Sequence, residues 1–402
     1  MKYKILKTIS INSFLLSPLL LASCGYNANN YVFVLSGTAN SGDYNKFALD
    51  VQNAYNQLKN SNDKYKHLSD ITITVKGNID DNQSKKDLIE NGSADFAFIS
   101  SQSLVSNNFY QKVNPLIQTL TTSFVFDTNM DQVYVDGNES DPLRTIASNM
   151  QSVSFGSNYS YPFNTWKDEK QVDSNNKTVQ PYYDWNGIRY NAFYNFDNST
   201  LVNGYRGMIL LSGTEQQING AINAWNNKNW DEFRNYGIIT GESGSAGTYL
   251  LQEQLIKKHF NLSSSNWTIA EDKLANPNKY ETDANGGTSK IGKYSNFVIS
   301  FTDEGSFAWT HNNNDSSDYV PINGNKIKIF SVTNPAIYDV GIFNKFIDSE
   351  VATLLSEVII YLYENNNNLY GEGLGYNGYR KITDFNKEVL TPMVNALGVN
   401  NA

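Results

Sequence analysis

At 402 residues the chain is long enough for two lobes with separate cores. Its net charge is -9, and it combines a charged fraction of only 18% with 13% aromatic residues, among them 26 Tyr and 6 Trp. No Lys/Arg cluster forms the basic face that a phosphate backbone requires, which excludes nucleic acid as a partner and leaves a cationic ligand open.

The chain begins with Lys2, Lys4 and Lys7 ahead of an apolar run, FLLSPLLLA, that ends in Leu21-Ala22-Ser23-Cys24. A basic start, an apolar run too short to span a membrane and small residues before a cleavage point predict a lipoprotein signal peptide over residues 1–23. Cys24 is the only cysteine, so no internal disulfide can form, and it is the expected site of lipidation. Several acyl chains on Cys24 would hold the body stably at the extracellular face of the membrane. No later segment reaches about 18 consecutive apolar residues, so no transmembrane helix is expected.

After a polar tether, YVFVLSG reads as a buried strand and 43–60 as a helix with Phe47, Val51, Ala54, Tyr55 and Leu58 on one face. ITITVKG, a helix around SKKDLIENG, and SADFAFIS complete a parallel α/β unit. Ligands sit at the carboxyl ends of such strands, which makes Ser36 and its loop a candidate contact. From 124 to 184 the pattern loosens, either as an insertion lining a cleft or as a surface excursion. A second α/β unit follows: GYRGMILLSG, a helix carrying Ile222, Trp225 and Trp230, the stretch YGIITGESGSAGTYLLQEQLIKKHF, and FVISFTDEGSFAWTH. The last helices, near 351–363 and 384–397, need a sheet to cover, and the first unit is short of helices. The chain is therefore expected to return to lobe one. The expected organisation is lobe one from 24–122 and 332–402, with lobe two from 123–331 between them. Two crossovers and a cleft between α/β lobes describe a hinged binding protein.

Two constellations carry candidate chemistry. In GESGSAGT, Ser243, Gly244, Ser245 and Thr248 precede a helix whose Glu253 and Lys257 are four residues apart and whose last turn is basic. The segment is either a capping turn or a cradle whose N–H groups and hydroxyls face phosphoryl oxygens. In DEGSFAWTHN, Glu304 and Trp309 offer a carboxylate and a ring face to a delocalised cation, against the alternative that Trp309 is core. TNPAIYDVG places Asn334, Tyr338 and Asp339 in a Pro-shaped turn at the hinge. No His/Cys/carboxylate cluster suggests a metal, and GESGS lacks the final glycine of a nucleophile elbow, so neither a cofactor nor an enzyme activity is expected.

Several blocks, TTSFVFD with YVDGNESDPL, YRGMI, AWNNKNWDEFRNYGI, DEGSFAWTHN, VTNPAIYDVG and GYNGYRKI, occur in one order through most of the chain. On these the chain resembles the mycoplasmal extracytoplasmic thiamine pyrophosphate-binding lipoproteins, relatives of the phosphonate-type solute-binding proteins of ABC transporters. The resemblance implies a two-lobed type II periplasmic-binding-protein fold that closes on thiamine pyrophosphate or thiamine. It further implies delivery to a membrane permease and action as a monomer. It points to Tyr205, Ser243, Ser245, Glu304, Trp309 and Tyr338 as cleft residues, and the TTSFVFD block adds Ser123. A phosphonate or phosphate-ester receptor and a surface adhesin are the alternative readings.

Overall fold

The computed structural model describes residues 29–38, 42–155, 193–195, 200–262, 267–283, 296–306 and 325–398. The expected signal peptide, Cys24 and Trp309 lie outside them. In chain order the described elements begin with β1 (Asn30–Val34), α1 (Asp43–Ser61), β2 (Thr72–Lys76), α2 (Asn82–Glu90), β3 (Phe96–Ile99), α3 (Ser101–Val105) and β4 (Val113–Thr122). There follow α4 (Pro142–Phe155), β5 (Leu201–Val202), β6 (Gly204–Tyr205), β7 (Gly207–Gly213), α5 (Glu215–Asn226), α6 (Trp230–Asn235), β8 (Ile238–Thr240) and α7 (Leu251–His259). Next are α8 (Ile269–Ala275), β9 (Tyr280–Thr282), β10 (Ile299–Asp303) and β11 (Lys326–Val332). The chain closes with β12 (Ala336–Ile337), β13 (Val340–Asn344), α9 (Ser349–Glu364), α10 (Leu369–Glu372), β14 (Gly378–Lys381) and α11 (Thr391–Leu397).

The first sheet runs β2-β1-β3-β13-β4-β14, with β5 paired to β4. Its β1, β2 and β3 are parallel, as strand–helix–strand alternation dictates, whereas β13 inserts antiparallel between β3 and β4. The sheet is apolar on both faces. Phe33, Phe96 and Phe98 pack with Tyr55 of α1 and Leu355 and Val358 of α9 on one side. Val34, Ala97 and Ile99 pack with Leu104, Val389 and Met393 on the other. The second sheet, β11-β7-β10-β8-β9, has its own core, centred on Trp225, Phe233, Phe301 and Ile209.

Three local outcomes differ from the sequence reading. The stretch read as loops contains α4, whose Leu143, Ile146, Ala147 and Met150 are buried at helical spacing. It starts at Asp141, whose Oδ1 accepts from Leu143 N at 2.9 Å while Oδ2 accepts from the N–H groups of Val135, Asp136 and Gly137. The expected helix with Ile222, Trp225 and Trp230 is two helices, because Lys228 takes φ +52° and the Asn229 side chain caps α6 at Glu232 N. The final helix begins with a wide turn over Asn386–Leu390 before α11.

The lobes are joined by more than the connecting strands. Ala246 and Leu251 at the start of α7 belong to the same apolar cluster as Met393, Ala396 and Leu397 of α11. Gly398, at φ +64°, is tucked so close to Gln254 of α7 that a Cβ there would sit 2.1 Å from Oε1.

Candidate ligand site between the lobes

The two-stranded ribbon β6–β12 links the sheets, with Ala336 opposite Tyr205 and the ladder extended by Tyr338 N donating to Asn203 O at 2.9 Å. That register brings the rings of Tyr205 and Tyr338 together, centroids 5.3 Å apart and planes tilted 36°. The turn entering α7 abuts the same place. A Cβ on Gly247 would lie 3.2 Å from Asp303 Cβ and 3.5 Å from Tyr205 Cε2, so glycine permits a close approach that any side chain would crowd.

Asp303, Tyr205 and Tyr338 are half-buried: each keeps accessible surface although protein surrounds it. Burial raises the Asp303 carboxyl, against hydrogen bonds from Ser306 and from Gly305 N at 2.9 Å. Burial also raises Tyr205, with Asp303 and Asp339 adding to the shift, and it raises Tyr338, with Glu304 the next cause. Both phenols stay protonated, so the wall offers ring faces, hydroxyls and one carboxylate. A delocalised cation is the group that such a wall attracts.

Lobe one supplies the other wall. Lys85, only 3% exposed, reaches from the first turn of α2 to Ser36 Oγ at 2.7 Å and Phe98 O at 3.1 Å. Burial lowers its ammonium pKa, an effect that Asp339 and Asp80 oppose. The Tyr376 hydroxyl donates to Asp339 Oδ2 at 2.5 Å, and burial raises the Asp339 carboxyl. The Ser36 carbonyl accepts from Tyr370.

The residues singled out from sequence divide between these walls and other duties. Ser36, Tyr205, Tyr338 and Asp339 come together. Glu304 does not join them as the exposed acid of its pair: it is 3% exposed, and Oε1 accepts from Arg206 N at 3.0 Å. Burial and the neighbouring Asp127 raise the Glu304 carboxyl, and its bond to the Arg206 backbone turns it away from the recess that half-buried Asp303 faces. Of the two adjacent acids, Asp303 is the one that keeps accessible surface beside Tyr205. Ser123 is fully buried at the end of β4, its Oγ unpartnered among the described residues. Asn334 braces a loop, Oδ1 accepting from Tyr134 N at 2.8 Å.

The Ser/Gly stretch makes a cap. Ser245 Oγ accepts from Thr248 N at 3.4 Å and from Thr248 Oγ1 at 2.7 Å. Ser243 and Gly244 are exposed, and the Gly244 carbonyl accepts from Gln102 Nε2 of lobe one at 3.2 Å. The expected Glu253–Lys257 pair forms at 3.2 Å, and the other Glu253 oxygen accepts from Ile269 N.

Arg206, its partner Asp127 and Lys85 escaped the sequence reading. Arg206 is fully buried and gives every donor away: Nε and Nη2 to Asp127, Nη1 to the carbonyls of Gln132 and Thr333, and Nη2 also to Asn129 O. Its signal was present, since Asp127 and Arg206 stand in the TTSFVFD and YRGMI blocks. Lys85 was legible as a lysine four residues before the buried Ile89, on the stripe of α2 that meets the sheet.

The family model described as CypI, extracytoplasmic thiamine-binding lipoprotein, matches residues 45–398. The chain belongs to that family. It is 36% identical over 349 residues to the high affinity transport system protein p37 of Mesomycoplasma hyorhinis, covering 86% of this chain and 81% of that one. It is 37% identical over 346 residues to the protein of the same description from Mycoplasma pneumoniae, covering 82% and 83%. The solved structure of the Mycoplasma hyorhinis protein Mh-p37, described as a proposed thiamine pyrophosphate transporter, superposes with TM-score 0.76 at 32% identity over 92% of this chain and 98% of that one. The fold of this thiamine-binding lipoprotein family member is thus the two-lobed periplasmic-binding architecture of transport solute receptors, with mixed α/β sheets in both lobes.

Proposed function

We propose that this chain is the solute receptor of an ABC-type importer, that it takes a thiamine-type ligand between its lobes, and that lipid on Cys24 tethers it outside the cell. The observation that carries the ligand is the Asp303 carboxylate beside the Tyr205–Tyr338 ring pair, on the ribbon that joins the lobes. A thiazolium ring is a flat cation. It gains from the ring faces and from a carboxylate that is partly withdrawn from water, where attraction is screened less than at the surface. The receptor hands an unaltered solute to a permease, so the site needs no cofactor of its own.

Thermal unfolding of the mature chain with thiamine, thiamine monophosphate, thiamine pyrophosphate and methylphosphonate tests this. A bound ligand at 100-fold excess over its Kd should add about 2.7 kcal/mol. Asp303→Asn should weaken thiamine roughly 10- to 100-fold, as expected for losing a charge-assisted contact. Stabilisation by methylphosphonate alone would move the reading to a phosphonate receptor. No stabilisation by any of the four would favour an adhesin.

A further inference from the structure

Among the described residues Lys85 is a buried cation without an ion-pair partner. Its Nζ donates to the Ser36 hydroxyl and the Phe98 carbonyl, and no carboxylate of the described residues forms a salt bridge with it. The carboxylates that act on it, Asp339, Asp80 and Asp81, are otherwise engaged, the first by the Tyr376 hydroxyl, the second by Gly37 N at 3.0 Å and the third by Ser84 N at 2.7 Å. Buried charges in folded proteins are paired, and an ammonium that is not paired within the chain is a place for an anion from outside.

Ser36 shows how that anion could be reached. Its Oγ accepts from Lys85, so the hydroxyl proton is left to donate, and among the described residues it has no acceptor. Ser36 is half-buried, beyond the carboxyl end of β1, where a sheet of this kind receives ligands. The Lys85 ammonium, with donors at the positive start of α2 behind it, polarises that hydroxyl. Asp339 stands between the two walls: it acts electrostatically on Lys85 and on Tyr205 alike.

Resting on the thiamine reading, we infer that Ser36, backed by Lys85, receives the phosphoryl oxygens of a phosphorylated ligand, so that lobe one reads the anionic end while Asp303 and the tyrosines of lobe two read the cationic end. The Ser/Gly turn before α7 offers the phosphate less, since Thr248 donates to Ser245 and Gly247 abuts the Asp303 carboxyl, which an anion would avoid.

The test is calorimetric titration of the detergent-solubilised full chain, as wild type, Ser36→Ala, Lys85→Met and Asp303→Asn, with thiamine and with thiamine monophosphate. Ser36→Ala and Lys85→Met should each weaken the monophosphate roughly 10- to 100-fold and leave thiamine within about two-fold. Asp303→Asn should weaken both alike. Equal losses for the two ligands in Ser36→Ala, or none, overturn the inference and leave the thiamine reading standing. If wild type binds neither form, the thiamine reading fails, and inorganic pyrophosphate then decides the inference separately. A rise in Tm on wild type that Ser36→Ala abolishes supports it, and no rise, or the same rise on both, overturns it.

Discussion

Arg206 and Lys85 are both buried cations within reach of the interlobe site, and the chain treats them in opposite ways. Arg206 has five donors and five hydrogen bonds, two of them to the Asp127 carboxylate. Lys85 has three donors and, among the described residues, two neutral acceptors and no ion pair. A saturated cation fixes loops: Arg206 holds the carbonyls of Asn129, Gln132 and Thr333 from two separate chain segments behind Tyr205. An unsaturated one is poised to bind. The degree of internal pairing, more than burial or charge, separates scaffold from site.

The comparison breaks most readily at Arg206. Arg206→Met strands the Asp127 carboxylate in the interior and should cost about 3–5 kcal/mol, the range for removing one partner of a buried pair. Urea unfolding at neutral pH reads this directly, and a midpoint equal to that of wild type would deny Arg206 its scaffold role. Lys85→Met removes a charge that no carboxylate of the described residues pairs with, so it should leave the unfolding midpoint near that of wild type or raise it.

A second test uses the saturated interior behind the site. His259 stacks on Trp225 with ring centroids 3.8 Å apart, its Nε2 against Trp225 O at 2.8 Å and its Nδ1 against Tyr134 Oη at 3.0 Å. Burial pushes its pKa from 6.5 down to about 4. The unfolded chain then takes up a proton that the folded chain refuses. The His259 contribution is complete above pH 6.5 and is lost as pH falls towards 4, amounting to about 3 kcal/mol. Urea unfolding at pH 7 and pH 4.5 should show His259→Gln losing less stability on acidification than wild type, and parallel losses would refute the assignment.

The smallest expected effect concerns the turn before α7. Ser245→Ala removes a cap and should lower stability by about 1 kcal/mol while leaving the affinity for thiamine monophosphate unchanged. A selective loss of the phosphorylated ligand would return the anion to this turn and dissolve the division of labour between the walls.

The sequence made the sheet framework legible and the orientation of single side chains much less so. The strand FVISF announces itself as a continuous buried run, and ITITV and the helix carrying Phe47, Val51 and Tyr55 announce themselves because burial repeats with the period of the element. The α4 helix was hidden by the polar loops on either side of it, although Leu143, Ile146 and Met150 kept its spacing. Asp303 and Glu304 are adjacent acids, and nothing in their lettering tells which one turns to the Arg206 backbone and which to the recess. Pairing across 98 residues decides it. The Ser/Gly stretch was ambiguous for the same reason: capping and anion binding call on the same hydroxyls, and the short Thr248–Ser245 contact shows the cap.

The apolar seam formed by Ala246 and Leu251 with Met393, Ala396 and Leu397 sets the mechanics of the whole body. Pulling these groups apart would wet them, at roughly 25 cal/mol for each Å² exposed, whereas rolling them over one another keeps them dry. The seam therefore favours rolling of α7 over α11 above separation of the two. A probe on α11 should report any such roll, because Met393, Ala396 and Leu397 line the seam.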